Sequence, residues 1–247
     1  GVLGVEFEGV RFAYPGGADV LVDVDVEIRP GSRVAVVGET GSGKTTFAKL
    51  LVRMLDPLEG RVRIGGVDLR QVARTDLRKR VAFVPQEGFL FEGTIADNVR
   101  YGSPKASDRE IRTAFLELGL DGWLESLPAG LDTEVGERGG NLSAGERQLV
   151  ALVRAWISAP DLLVLDEATS AVDPALDVQL RRAIDRLTAG RTSVTIAHRL
   201  ATAEASDEVL VFDAGRLVER GAHATLVEQG GVYASLYADW VTGTLAS

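Results

Sequence analysis

Alternating and continuous apolar stretches along the chain predict strands. Residues 5–14 and 22–28 alternate apolar and polar side chains, which is typical of strands with one exposed face. Two hairpins are indicated by short strands on either side of a glycine-containing turn: 61–64 with 67–69, and 209–212 with 216–218. Runs of mainly apolar and β-branched residues predict buried strands at 33–37, 81–84, 162–165 and 192–197.

Stretches with helical periodicity separate these strands. One apolar set recurs at helical spacing and predicts a helix after residue 45: Phe47, Leu50, Leu51 and Met54. From residue 94 to about residue 127 the pattern is helical, with Thr94 and Ser107 as predicted N-caps. The apolar face of this stretch consists of Ile111, Phe115 and Leu118. Further helices are expected within 141–157, over 175–188 and near the C-terminus.

This order of elements predicts an α/β fold with a mixed central sheet. The early alternating strands form an antiparallel β subdomain, and the helical stretch forms an inserted α-helical subdomain. We expect one domain over residues 1–247. Within it, 1–86 and 155–247 form the core with its β flank, and about 87–154 form the helical subdomain.

Composition narrows the functional classes. The 247 residues are 45% hydrophobic and 26% charged, with a mean hydropathy of +0.08 and no apolar run long enough to span a membrane. A net charge of -9 and a pI near 4.9 argue against a broad nucleic-acid surface. The chain has no cysteine, which excludes disulfides and thiolate metal sites. It begins with Gly1 and its one methionine is Met54, so we expect a fragment of a longer protein.

Residues 38–45 read Gly-Glu-Thr-Gly-Ser-Gly-Lys-Thr and form a complete phosphate loop between an apolar strand and a helix. Its glycines permit positive φ angles, so successive N–H groups turn inward and bind an anion. Lys44 suits the β- and γ-phosphates of a nucleotide, and the Thr45 hydroxyl suits Mg²⁺. A glycine-rich turn with a chance lysine would not explain the strand-loop-helix context.

Polar residues also follow other predicted strands. Asp166 and Glu167 end an apolar strand, where two carboxylates are costly unless a cation or water meets them. Beside a phosphate loop, Asp166 suits the Mg²⁺ shell and Glu167 suits polarisation of an attacking water. The alternative is an acidic helix cap. His198 ends the 192–197 strand, at the edge where open α/β sheets bind ligands.

Several residues have both a structural and a functional interpretation. Ser143 and Glu146 have capping-box spacing, which predicts a well-capped helix, although any helix start also binds anions. Tyr14 is either a packing aromatic or a platform for a base. Gln86 places a neutral amide at a strand end. His223 is expected to start a surface helix rather than to belong to a site.

The combination of features resembles the nucleotide-binding domain of ATP-binding cassette (ABC) transporters over residues 5–240. The matching features are Tyr14, the phosphate loop, Gln86, the signature segment Leu142-Ser143-Ala144-Gly145-Glu146, the run 163–167, Ser170-Ala171-Val172-Asp173 and His198. Residues 89–95 and 133–139 resemble the exporter branch, in which such segments touch the coupling helices of a transmembrane domain. The resemblance implies a P-loop NTPase (RecA-like) core in a half-transporter, at the cytoplasmic face of the membrane.

The resemblance also implies residue roles. Tyr14 would stack on adenine, and the phosphates would be held by Glu39, Thr40, Gly41, Ser42, Gly43, Lys44, Thr45 and Thr46. The Mg²⁺ shell would comprise Thr45, Gln86 and Asp166. Catalysis would use Glu167 to activate water and His198 to contact the γ-phosphate, together with Lys44 and Gln86. A second subunit would supply its signature segment, Leu142, Ser143, Ala144, Gly145 and Glu146, and Asp173 would lie at the dimer seam.

The signature segment departs from the family's usual Leu-Ser-Gly-Gly-Gln. The Ala144 methyl crowds a close backbone approach, and Glu146 brings negative charge near an anion unless it turns back to cap its own helix. In heterodimeric exporters, one subunit often combines the catalytic carboxylate with a weakened signature. We therefore favour a heterodimer over a homodimer.

Three functions fit these observations to different extents. The first is an ATPase motor of a membrane exporter, with two ATP molecules between two such domains. The second is a regulatory module that binds ATP with little turnover, and the altered signature is the feature that supports it. A soluble ABC ATPase acting on DNA or ribosomes is disfavoured by the acidic charge and by the exporter-like segments.

Overall fold

The described part of the chain, residues 2–167 and 173–245 of a computed structural model, forms two units. Within it, the core unit comprises residues 2–81, 161–167 and 190–245, and the helical unit comprises 82–160 and 173–189. The core unit contains a mixed sheet and an antiparallel sheet, whereas helices dominate the helical unit. These features confirm the predicted α/β class with an antiparallel flank and an inserted helical part.

The elements are numbered in chain order. The strands are β1 (Val5–Ala13), β2 (Asp19–Ile28), β3 (Arg33–Val37), β4 (Glu59–Ile64), β5 (Val67–Asp68), β6 (Val81–Val84), β7 (Leu162–Asp166), β8 (Thr192–Ile196), β9 (Glu208–Asp213) and β10 (Arg216–Gly221). The helices are α1 (Lys44–Leu51), α2 (Arg74–Arg80), α3 (Ile95–Arg100), α4 (Asp108–Leu118), α5 (Asp121–Ser126), α6 (Ala144–Ile157), α7 (Pro174–Thr188), α8 (Leu200–Glu204), α9 (His223–Gln229) and α10 (Val232–Leu245). Short 3-10 turns lie at Leu69–Gln71, Gly130–Asp132 and Glu137–Gly139.

The antiparallel sheet has the strand order β2-β1-β4-β5, with β1 paired on both sides. Phe7 of β1 lies opposite Val26 of β2 and Val62 of β4. All three side chains are buried, while the residues next to Phe7 in β1 are partly exposed. The alternation seen in the sequence therefore marks a sheet with one covered face.

The mixed sheet of the core unit runs in the order β10-β9-β3-β8-β7. β3 pairs in parallel with both β8 and β9, and β7 pairs in parallel with β8, while β10 is antiparallel to β9. Residues 34–37 of β3 and 162–165 of β7 are all buried. Their continuous apolar pattern follows because parallel strands are covered on both faces.

Three phenylalanines connect the two sheets of the core unit through α1. Phe47 of α1 stacks on Phe7 of β1 with ring centroids 4.4 Å apart, and lies 5.1 Å from the ring of Phe212 in β9. At most 2% of each residue is exposed. This aromatic contact places the helix that follows the phosphate loop between the antiparallel and mixed sheets.

The predicted face of α1 is correct except at its end. Phe47, Leu50 and Leu51 are buried, but the helix stops at Leu51 and Met54 is 56% exposed. Arg53 adopts a left-handed conformation with φ of 54°, which an α-helix cannot continue. Periodicity alone does not show this, because Met54 still has the spacing of an apolar helical position.

Capping boxes begin several helices of the helical unit. Each pairs the side chain of the N-cap residue with the backbone of a residue three positions later, and the reverse contact is also present: Thr94 with Asp97 in α3, Ser107 with Glu110 in α4, and Ser143 with Glu146 in α6. The predicted caps are confirmed, and Ile111, Phe115 and Leu118 are buried. Among residues 2–167 and 173–245, no helix is long and apolar enough to cross a bilayer.

The C-terminal helices of the core unit pack on β3 and β9 through a cluster that includes Leu226 of α9 and Tyr233 of α10. The Tyr233 hydroxyl lies 2.7 Å from His223 Nδ1, and His223 begins α9 as predicted. Burial raises the pKa of Tyr233 to about 12, with smaller contributions from Glu204 and Tyr237. The neutral phenol is therefore the form that suits the folded chain.

We expect Tyr233→Phe to lower the free energy of unfolding by about 1 kcal/mol at pH 8, because it removes one buried hydrogen bond. The deficit of the variant should shrink between pH 10 and 12. In that range the phenol ionises in the unfolded wild type but stays neutral in the folded wild type, so wild-type stability falls as pH rises. Urea unfolding of both proteins at pH 8, 10 and 11 measures this difference, and a deficit independent of pH would contradict it.

Candidate active site

The parallel register of the core sheet brings three chain segments to one edge. Ile196 at the end of β8 lies opposite Val36 of β3 and opposite Asp166 of β7. Hydrogen bonds continue this register beyond the strands, from Ala197 N–H to Val36 C=O at 3.0 Å and from Glu167 N–H to Ile196 C=O at 3.1 Å. The phosphate loop, Glu167 and His198 therefore leave the sheet from the same edge.

Glycines in the phosphate loop allow the backbone to approach neighbouring strands closely. Gly43 has a φ of 104°, and a Cβ there would lie 2.7 Å from Leu21 Cδ2 and 2.9 Å from the Val20 carbonyl oxygen. At Gly38, with a φ of 148°, a Cβ would lie 2.2 Å from the Phe212 carbonyl oxygen. Both positions exclude side chains for reasons of conformation and of space. α1 begins directly after Gly43, so its N-terminus faces the loop.

Lys44 is held inside the loop. Its Nζ donates hydrogen bonds of 2.7 Å to the carbonyl oxygens of Gly38 and of Glu39, and the residue is 6% exposed. Burial lowers the pKa of Lys44, while the negative charge of Asp166 opposes that effect. The ammonium is thus fixed at the loop and is close enough to Asp166 for the two charges to interact.

Asp166 has a buried carboxylate oxygen, Oδ1, without a hydrogen-bond partner in the described part of the chain. Burial raises the pKa of Asp166, and Lys44 and Lys49 oppose that effect. An unpartnered buried carboxylate oxygen is costly unless a cation meets it. Thr45, the second residue of α1, is exposed and adds a hydroxyl.

The Asp166 carboxylate oxygen and the Thr45 hydroxyl are ligands that suit Mg²⁺. Protein sites typically hold this ion through one or two carboxylates plus phosphate and water. Within residues 2–167 and 173–245, no group of three or more His, Cys, Asp or Glu side chains is arranged to hold a metal by itself. The third predicted ligand, Gln86, is exposed after β6 in the helical unit. The complete shell of Thr45, Gln86 and Asp166 stays a prediction.

Glu167 is 12% exposed and has a partner for each carboxylate oxygen. Its Oε2 accepts a hydrogen bond of 3.0 Å from the backbone N–H of His198, and its Oε1 accepts one of 2.7 Å from the Thr202 hydroxyl. Arg199 Nε lies 3.9 Å from Oε1. Sequence patterns did not single out Thr202, although a hydroxyl residue at the helix start after His198 is a recognisable signal.

His198 lies between the two carboxylates. Its Nε2 is 3.9 Å from Asp166 Oδ1, and its backbone N–H binds Glu167. Burial and the nearby Lys44 ammonium lower the pKa of His198, against the opposing effect of Glu167. The imidazole is therefore neutral at pH 7 and can donate one hydrogen bond and accept another.

Tyr14 is 40% exposed just after β1. Its ring packs edge-on against Phe12 at 5.0 Å, and its hydroxyl lies 3.3 Å from Thr46 Oγ1 in α1. The contact with Thr46 places this aromatic beside the helix that follows the phosphate loop. The position suits stacking on a base, which stays a prediction.

The signature segment begins α6 in the helical unit. Glu146 accepts hydrogen bonds from Ser143 N–H at 2.8 Å and from the Trp123 indole N–H at 3.2 Å. Burial opposes ionisation of Glu146, but the hydrogen bonds from Ser143 and Trp123 outweigh it and lower the pKa. Glu146 is therefore ionised and turned back to its own helix, as its capping-box spacing predicts. Ser143 and Ala144 are exposed.

Other predicted residues of the helical unit have clear local positions. Asp173 is the N-cap of α7 and accepts hydrogen bonds from Ala175 N–H at 2.9 Å and Leu176 N–H at 3.3 Å. Residues 168–172, which include the predicted Ser170-Ala171-Val172, lie outside the described residues. The exporter-like segments 89–95 and 133–139 join through a bridge between Thr94 and Glu134.

Comparison with known proteins identifies the family. Residues 21–170 match the family described as "ABC transporter". The chain belongs to the ABC transporter family. The chain is 46% identical over 229 residues to a fatty acid ABC transporter ATP-binding/permease protein of Mycobacterium tuberculosis. The aligned region covers 93% of this chain and 36% of that protein. The chain is 42% identical over 233 residues to human ATP-binding cassette sub-family B member 6, covering 94% of this chain and 28% of that protein.

A solved structure shows the same fold. A bacterial Atm1-family ABC exporter with ATP bound matches with a TM-score of 0.89 and 42% sequence identity, over 96% of this chain and 41% of that chain. The chain thus spans about a third of the curated ABC relatives that it matches, 36% and 28% in the two examples above. The phosphate-loop fold and the ABC assignment predicted from the motifs are confirmed.

Gly43→Ala is expected to weaken ATP binding at least about tenfold, because backbone strain of about 1–3 kcal/mol adds to the clash with Leu21 and Val20. Gly41→Ala is the matched control. Gly41 has a φ of 84°, but a Cβ there meets nothing within 4 Å. Titration with a fluorescent ATP analogue should show the smaller loss for Gly41→Ala, and equal losses would show that space around Gly43 does not matter.

Proposed function

We propose that this chain is the ATP-hydrolysing domain of an exporter-type ABC transporter. The observation that supports this best is the arrangement of Lys44, Asp166, Glu167 and His198 at one edge of the core sheet. A domain that only bound nucleotide would need the first two residues but would not require Glu167 and His198. Both units would act together as one functional domain over residues 1–247.

Phosphate binding follows from the loop and from Lys44. Backbone N–H groups of residues 39–46 and the N-terminus of α1 provide partial positive charge, and Lys44 adds a full charge that is already held at the loop. Tyr14 would stack on adenine. Thr45 and Asp166, completed by Gln86, would hold Mg²⁺, which would neutralise phosphate charge when bound.

Hydrolysis would use Glu167 and His198. Glu167 would orient and polarise the attacking water, because its carboxylate is held in place and each oxygen keeps an unused lone pair. His198 is neutral at pH 7 and could donate a hydrogen bond to the γ-phosphate from Nε2. Catalysis of this type depends on positioning and charge stabilisation rather than on covalent chemistry by the protein.

The second half of the site would come from another ABC domain. The exposed Ser143 and Ala144 at the start of α6 form a helix N-terminus that can face a phosphate of a partner domain. Asp173 would lie at the same seam. We favour a heterodimer, since Ala144 and Glu146 depart from the usual signature. The name of the Mycobacterium tuberculosis relative pairs ATP-binding with permease, which supports a transmembrane partner and a place on the cytoplasmic face of a membrane.

A regulatory module that binds ATP with little turnover is the second candidate. The observation that favours it is the ionised Glu146 within the signature segment. The retention of both Glu167 and His198 at the core edge argues for turnover. The two candidates differ in one measurable quantity, which is phosphate release.

We expect Glu167→Gln to lower ATP turnover at least about 100-fold, because it removes the group that activates water. ATP affinity and ATP-dependent dimerisation should stay close to wild type. Phosphate release, nucleotide titration and light scattering of the complete protein measure these three properties. Glu228→Gln, at an exposed position of α9, is a matched control and should keep full turnover. Full turnover in Glu167→Gln would exclude the assigned role.

Restoring the usual signature should raise turnover. We expect Ala144→Gly combined with Glu146→Gln to increase phosphate release about 3- to 10-fold, equivalent to about 1 kcal/mol, because the Ala144 methyl is removed from the exposed helix start and the charge of the capping Glu146 no longer offsets the partial positive charge of that N-terminus. Glu110→Gln removes the same charge from the equivalent capping box of α4 and should leave turnover unchanged. If the double variant releases phosphate no faster than wild type, Ala144 and Glu146 do not limit the rate.

A further inference from the structure

We propose that Thr202 is a positioning residue for the Glu167 carboxylate. This inference rests on the proposed ATP hydrolysis and deepens it, because it concerns the residue that orients the general base. Thr202 is the third residue of α8 and is partly buried. Its hydroxyl donates a hydrogen bond of 2.7 Å to Glu167 Oε1.

The contact differs from those of three other helical threonines in this chain. Those hydroxyls donate to a backbone carbonyl four residues earlier in the same helix: Thr113 to Arg109, Thr188 to Ile184, and Thr242 to Ala238. Thr202 instead reaches a carboxylate 35 positions away in sequence. Its hydroxyl is thus used to hold a side chain rather than to support its own helix.

Thr202 and His198 hold Glu167 at two points. The backbone N–H of His198 binds Oε2 and the Thr202 hydroxyl binds Oε1, so both rotation of the carboxylate and displacement of its plane are restrained. The two donors come from one short segment after β8. A base that must meet a water in one geometry loses rate when its orientation is not restrained.

Arg199 is the competing partner if the hydroxyl is removed. Its Nε lies 3.9 Å from the same Oε1 that Thr202 binds, and its side chain is 32% exposed. Without the hydroxyl, attraction to the guanidinium would rotate the carboxylate away from its present plane. The bond from Thr202 therefore keeps Glu167 available for water.

The two carboxylates at the end of β7 consequently differ. Asp166 Oδ1 has no hydrogen-bond partner in the described chain and is electrostatically coupled to Lys44, whereas Glu167 is held through both oxygens. The Thr202 hydroxyl is the hydrogen-bond donor that holds Glu167 Oε1.

The experiment compares Thr202→Val, which keeps the shape but removes the hydroxyl, with Thr202→Ser, which keeps the hydroxyl. In the complete protein, we expect Thr202→Val to lower kcat for ATP about 3- to 10-fold, the loss of one hydrogen bond, with KM within about twofold of wild type. Thr202→Ser should recover kcat to within about twofold of wild type. Thr242→Val, the same change on α10, should leave both constants unchanged. Thermal unfolding of each variant checks folding.

The outcomes separate this inference from the proposed function. Full or raised kcat in Thr202→Val overturns the positioning role, and so does an equal loss of kcat in Thr202→Ser. A raised KM with unchanged kcat also overturns it. No turnover in the wild type, or full turnover in Glu167→Gln, overturns the proposed function and this inference together. Active wild type, inactive Glu167→Gln and fully active Thr202→Val overturn this inference alone.

Discussion

The parallel pairing of β8 with both β3 and β7 is the constraint on which the rest of the core unit depends. Ile196 lies opposite Val36 and Asp166, so the chain segments after three strands leave the sheet at one level. A shift of one residue in this register would place the side chains of the shifted strand on the opposite faces of the sheet. It would also move the phosphate loop away from the carboxylates. Residues 34–37 of β3 and 162–165 of β7 are apolar and buried, so a shift would bring the polar residues at the ends of these strands into the core.

Charge placement at this edge follows from the register. Lys44, Asp166 and His198 are partly or fully buried, and burial shifts each pKa towards the neutral form. Lys44 and Asp166 oppose each other's shift, which favours their charged forms together. Glu167 follows Asp166 in sequence but takes its partners from the segment after β8. Asp166 and Glu167 are neighbours in sequence, yet their carboxylates interact with groups from different segments of the chain.

Much of the fold was predictable from the residues, because caps, glycine turns and apolar periodicity act locally. The capping boxes of α3, α4 and α6 follow directly from Thr94, Ser107 and Ser143. The end of α1 was not predictable in this way, since Met54 has helical spacing but follows a left-handed Arg53. Thr202 was also missed. Its partner is 35 positions away in sequence, and only the pairing of β7 with β8 brings the two together.

The sequence by itself determined the phosphate loop, the strand-end positions of Asp166, Glu167 and His198, and the assignment to the ABC family, because each depends on residue types at short spacings. Tertiary structure decided which groups these side chains meet. It placed the Trp123 indole beside Glu146 and left Asp166 Oδ1 without a hydrogen-bond partner in the described chain. The physical reason is that orientation and burial depend on neighbours from distant segments, and local patterns do not record which strands pair.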